Sequence, residues 1–114
     1  MIEWANNYYI DDSVKKNPSR WRKRLTRIAE GKHTLFRRTP MDIHVIALTF
    51  NDNDLFQIIP AGELSSPLYK GVKLRIVGMA WGKENAKELT GRIVADLYRQ
   101  TGDIEPKTYF KFGG

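Results

Sequence analysis

Apolar side chains recur along this chain at two different periods, and the switches between them mark out its elements. In residues 17–31, NPSRWRKRLTRIAEG, Trp21, Leu25 and Ile28 fall at i, i+4 and i+7, which draws one narrow stripe along a helix. Asn17 suits the N-cap, Pro18 the first turn and Gly31 the position just past the end. The period then shortens. DIHVIALTF (42–50) and LFQIIP (55–60) are β-branched and aromatic runs around NDND, a hairpin signal, and Pro60 ends the second run or places it at a sheet edge. A third run, VKLRIVGMAW (72–81), alternates, with Val72, Leu74 and Ile76 on one side and Lys73 and Arg75 on the other. The helical period returns over 83–101, where Ala86, Leu89, Thr90, Ile93, Val94 and Leu97 make a wide apolar face. Glu88 and Arg92 are spaced for an i,i+4 pair there, and Gly102 stops the helix.

The order helix, strand, strand, strand, helix predicts an α+β fold. Its sheet is expected to be a three-stranded, mainly antiparallel meander, and 114 residues fit a single domain. Strand 42–50 is apolar on both faces, Ile43, Val45 and Ala47 opposing Ile46, Leu48 and Phe50. Either the two helices split between the faces or a second subunit covers one. Val77, Met79 and Trp81, read in strict alternation, share one face and are the candidate surface for such an interface.

Composition narrows the chemistry. The chain has no cysteine, which excludes disulfides, thiolate nucleophiles and thiolate metal sites. MIEWANNYYIDD lacks the basic and apolar regions of a secretory signal, and runs such as HVIALTF fall well short of a membrane span, so a cytoplasmic protein without membrane contact is expected. Charge is distributed unevenly. Residues 1–40 hold ten Lys/Arg against four Asp/Glu, whereas residues 41–114 hold nine of each, so the whole net charge of +6 lies in the first third. Much of it falls in a basic helical region at about residues 15–38. At 100° per residue, Arg20, Lys23, Arg24 and Arg27 gather beside the Trp21–Leu25–Ile28 stripe. Clustered cations of this kind gain affinity for phosphate backbones by releasing counterions.

Other constellations carry less. VGMAWGKENAK (77–87) has two glycines followed by a lysine, the outline of a phosphate loop. The glycines, Gly78 and Gly82, are one residue too close, however, and Glu84 stands where a magnesium-binding hydroxyl is required. Gly78 is instead read as a close-packing position and Gly82 as a strand-to-helix turn. NDNDLFQIIPAGE spaces Asp52, Asp54 and Glu63 like part of a calcium loop but has Phe56 and Gln57 where a ligand and a glycine belong. His33 and His44 are the only histidines. Asp42 and His44 lie two apart on one strand and can meet, but no nucleophile accompanies them. Asp11 and Asp12 are read as neutralising the basic helix or capping a turn. Gly91, in mid-helix, forms a notch with Ala95 that would admit another element or a partner helix.

YYI, IIPAGEL, IVGMAWGKENAKEL and IVADLYRQTGDIEPKTYF resemble a group of small uncharacterised bacterial proteins. That group shares a strand–Gly–helix segment, a Tyr–x–x–Thr–Gly–Asp stretch and an aromatic ending. The resemblance is densest over residues 72–110 and implies a fold and a cytoplasmic setting but no activity.

No catalytic, cofactor or metal residues can be assembled from this inventory. The chain therefore reads as a non-enzymatic binding module that contacts nucleic acid, or another polyanion such as an acidic protein, through Arg20, Lys23, Arg24 and Arg27. The alternative is a protein–protein module or homodimer built on Val77, Met79 and Trp81.

Overall fold

Six consecutive residues, Ile43–Leu48, are buried in the computed structural model, and burial on both faces requires a central strand. The structure describes residues 2–14, 17–31, 42–48, 55–69, 71–102 and 105–113. Within them the elements run β1 (Ile2–Ile10), α1 (Pro18–Ala29), β2 (Ile43–Leu48), β3 (Phe56–Pro60), β4 (Leu74–Trp81), α2 (Lys83–Thr101) and the short α3 (Pro106–Tyr109). Two 3-10 turns, Ala61–Glu63 and Pro67–Tyr69, link β3 to β4.

The fold is α+β, but its sheet is four-stranded and mixed, in the order β1-β4-β2-β3. Two features correct the expected meander. The strand after the β2–β3 hairpin pairs with β2 and not with β3, so β2 lies between its two antiparallel partners. The N-terminal segment adds a further strand, β1, which runs parallel to β4. Pro60 is the last residue of β3, the edge strand, a position in a sheet that proline tolerates.

The helices take opposite faces. Leu25 and Ile28 of α1 pack with Ile43, Val45, Ile76 and Met79 on one side. Ala86, Leu89, Ile93 and Leu97 of α2 pack with Ile46, Leu48, Val77 and Ala80 on the other, joined by Phe110 after α3. Close approach of α2 depends on Gly78. A Cβ there would lie 3.3 Å from Leu89 Cδ2 and 3.4 Å from both Ile46 Cδ1 and Ile93 Cδ1.

β4 carries a bulge. Its register with β2 passes from Ile46↔Gly78 to Ala47↔Ile76, which leaves Val77 as the additional residue. Val77 and Gly78 consequently both face α2, whereas Leu74, Ile76 and Met79 lie in the α1 core. β1 bows out at the same level, its pairing moving from Trp4↔Ile76 to Tyr9↔Gly78. The tail fills that bow. Asn6 N–H donates to the Lys111 carbonyl (2.6 Å), Ala5 bridges Phe112, and Asn7 bonds Tyr109 and Lys111. The exposed edge of β1 is thereby partly covered.

Among the described residues, no helix is long and apolar enough to cross a membrane.

Candidate functional site

The basic face is built by the start of α1. Asn17 adopts a left-handed conformation (φ 43°), which an asparagine tolerates, and its carbonyl accepts the N–H groups of Arg20 (2.9 Å) and Trp21 (3.2 Å). Its side chain makes no capping bond, so the expected N-cap acts through the backbone alone. With Leu25 and Ile28 buried and Trp21 half-buried, the opposite side of the helix turns outward. Arg20, Lys23 and Arg27 are exposed there. Arg24 is half-buried, its guanidinium 5.5 Å from the Trp21 ring centroid. The structure thus brings the four predicted cations together, three facing outward and one folded onto the aromatic flank. The rest of the basic region, residues 32–38, lies outside the described residues.

A fifth cation belongs to this helix. Arg22 reaches the opposite flank and lies 5.7 Å from the Trp4 ring and 5.4 Å from the Tyr8 ring, both from β1. Thr26 fixes that flank, its hydroxyl accepting Trp4 Nε1–H at 2.9 Å and donating to the Arg22 carbonyl at 2.8 Å. Helical spacing alone sets Arg22 apart from the other cations. Its aromatic partners come from a strand that the pattern did not reveal.

Four carboxylates among the described residues pair with cations outside α1. Asp11, read from the sequence as a neutraliser of this helix, accepts instead from Arg92 of α2 and from the Ser13 N–H (3.0 Å). It does cap a turn, but its charge goes to the far side of the sheet. This also corrects the expected Glu88–Arg92 pair. Glu3 holds Lys73 (2.9 Å) and Arg75 (3.8 Å), Glu84 holds Lys87 (3.4 Å), and Asp96 holds Arg99 (3.3 Å). Among the described residues, Arg20, Lys23 and Arg27 enter no ion pair, and the first turn of α1 has no acidic side chain.

The apolar surface assigned to Val77, Met79 and Trp81 is not one surface. The bulge sends Val77 into the α2 core and Met79 into the α1 core, each with 0 % exposure. Strict alternation cannot survive an inserted residue. Trp81 alone of the three is exposed, at 38 %, and packs edge-on against Trp21 with ring centroids 5.8 Å apart.

The glycine–lysine segment is a turn. Gly82 has φ 86° and donates its N–H to the Asp42 carbonyl (2.6 Å), so β4 passes directly into α2, where Lys83 and Glu84 are exposed. His44 is nearly buried, and its Nδ1–H donates to the Asp42 carbonyl oxygen at 2.9 Å, so the expected meeting of side chains is a side chain on a backbone. Glu63 sits exposed in the first 3-10 turn, while Asp52, Asp54, Phe50 and His33 lie outside the described residues. Among the described residues, no cluster of three or more His, Asp or Glu is placed to hold a metal. A Cβ at Gly91 would meet nothing within 4 Å, so no element among the described residues enters that notch.

One polar cluster escaped the sequence reading. The Tyr9 hydroxyl bonds Asp96 Oδ2 (2.6 Å) and the Tyr109 hydroxyl (2.9 Å), tying β1, α2 and α3 together. Burial raises the Tyr9 pKa well above the ordinary tyrosine value, with the hydrogen bonds to Asp96 and Tyr109 adding to it. The network fastens the C-terminal segment.

No family model, curated protein or solved structure matches this chain.

Proposed function

We propose that the protein is a binding module for nucleic acid or a similar polyanion, and that the outward face of α1 makes the contact. One observation carries the reading: Asp11, a carboxylate close in sequence to α1, is committed to Arg92 of α2, while Arg20, Lys23 and Arg27 enter no ion pair among the described residues. Arg20, Lys23 and Arg27 are left projecting into solvent, and Arg24 flanks them. Each such cation that meets a phosphate releases a counterion, so the gain grows with the number of contacts the face makes. From Arg20 to Arg27 the helix rises about 10 Å, at ~1.5 Å per residue, so the group can follow a short length of backbone. Nothing on α1 is built to read base edges, so sequence preference is weak.

The test is binding of the purified chain to a duplex and to a single strand across a salt series. Affinity should fall steeply as salt rises. Absence of binding at low salt would remove the reading. The protein–protein or homodimer alternative drew on Val77, Met79 and Trp81, of which Trp81 alone is exposed, so it has less behind it than the cationic face.

A further inference from the structure

We infer that the Arg24–Trp21–Trp81 cluster is a base-stacking platform, which makes the preferred ligand of the α1 face a single-stranded nucleic acid. The inference rests on the polyanion reading and adds a ligand class to it.

Trp81 is the last residue of β4, and its backbone is held on both sides. Its N–H donates to Ser13 Oγ (2.9 Å), and its carbonyl accepts from Asn85 Nδ2 (2.8 Å). The indole therefore projects from a fixed base at the end of the sheet. Trp21 supports it from α1 at a 66° interplanar angle, and Arg24 lies against Trp21. The aromatic surface and the cations thus meet on one helix, with Trp21 next to Arg20 and one turn from Arg24. Among the described residues, the other exposed large apolar side chains, Ile10 (39 %), Leu68 (82 %) and Tyr98 (63 %), make no aromatic or cation–π contact, whereas Trp81 packs on Trp21, which carries Arg24.

Such a combination suits unpaired strands. Phosphates meet Arg20, Lys23 and Arg27, while an adjacent base lays its face on the exposed indole, a contact open to any base. In a duplex the base faces are already stacked on each other, so only the charge term remains. An acidic polypeptide satisfies the charges but offers no planar base to Trp81.

The experiment measures binding of the full chain to a labelled 12-nucleotide single strand, its duplex, heparin and polyglutamate. It compares wild type with Trp81→Ala and Trp81→Phe, each checked for folding by circular dichroism. Trp81→Ala should weaken single-strand binding about 5- to 100-fold, the range expected for one stacked base. Duplex and heparin binding should stay at wild-type strength, and Trp81→Phe should retain most of the single-strand affinity. In wild type the single strand should quench tryptophan emission and heparin should not, a readout that needs no variant. If Trp81→Ala leaves single-strand binding unchanged and emission is not quenched, the cluster is packing alone, and the polyanion reading survives without it. If polyglutamate binds as well as the single strand, the platform has no role and an acidic protein becomes the ligand. If none of the four binds at low salt, both readings fall.

Discussion

Replacing Ile93 with alanine probes the packing that holds α2 on the sheet. Ile93 is fully buried, and its Cδ1 lies 3.4 Å from the point where a Gly78 side chain would begin. The truncation removes three buried carbons, worth about 2.4 kcal/mol at ~0.8 kcal/mol each. A hole of about 70 Å³ left unfilled adds roughly 1.7 kcal/mol at ~24 cal/mol per Å³. Gly78 has no side chain to move into the space, so relaxation must come from Leu89 and Ile46, and a total of about 3–4 kcal/mol is expected. In urea, with a slope of roughly 1.5 kcal/mol per molar, the midpoint should fall by about 2 M at unchanged slope. A second substitution checks the geometry. Gly78→Ala alone crowds three side chains, but in the Ile93→Ala background one of the three is gone. The pair should therefore be less destabilised than the sum of the singles, by about 0.5–1.5 kcal/mol. Additive behaviour, or a loss below about 1 kcal/mol for Ile93→Ala, would refute this packing.

Two further outcomes follow from the polar contacts. Tyr9 has a folded pKa raised above its unfolded value, so its contribution to stability is complete below about pH 10 and is lost as pH rises further. Unfolding measured from pH 8 to 11 should show that loss, and Tyr9→Phe should flatten it; an identical alkaline slope in the variant would contradict the assignment. Asp11→Ala should cost about 1–3 kcal/mol by urea unfolding, because it removes the acceptor of both the Ser13 N–H and Arg92. A change within about 0.5 kcal/mol, typical of surface positions, would mean that the pair is ornamental to folding.

Periodicity exposed the elements whose burial is one-sided or complete. The helix read over 83–101 is α2 to the residue, and Ala86, Leu89, Ile93 and Leu97 are its buried positions. Strand 42–50 appears as β2, with Thr49 and Phe50 outside the described residues. What stayed hidden depends on contacts distant in sequence. In β1 the polar pair Asn6–Asn7 breaks the apolar pattern, because there the strand bows away from β4 and bonds the C-terminal tail. The bulge at Val77 leaves no mark in composition, yet it redistributes Val77 and Met79 to opposite cores and so dissolved the expected apolar face. The four cations were legible because helical spacing alone brings them together. Their aromatic frame was not, since Trp81, Trp4 and Tyr8 arrive from strands β4 and β1.

The slope of affinity against salt tests the polyanion reading most directly. For wild type on duplex DNA, three phosphate contacts through the exposed Arg20, Lys23 and Arg27 predict a log–log slope near −3, at about −0.9 per contact. Lys23 and Arg27 are exposed and lie off the Trp21–Leu25–Ile28 stripe, so Lys23→Glu with Arg27→Glu should leave the fold intact. The double variant should bind far more weakly, with a slope of about −1. A double variant that binds as tightly as wild type and keeps its slope would contradict the assignment of binding to α1.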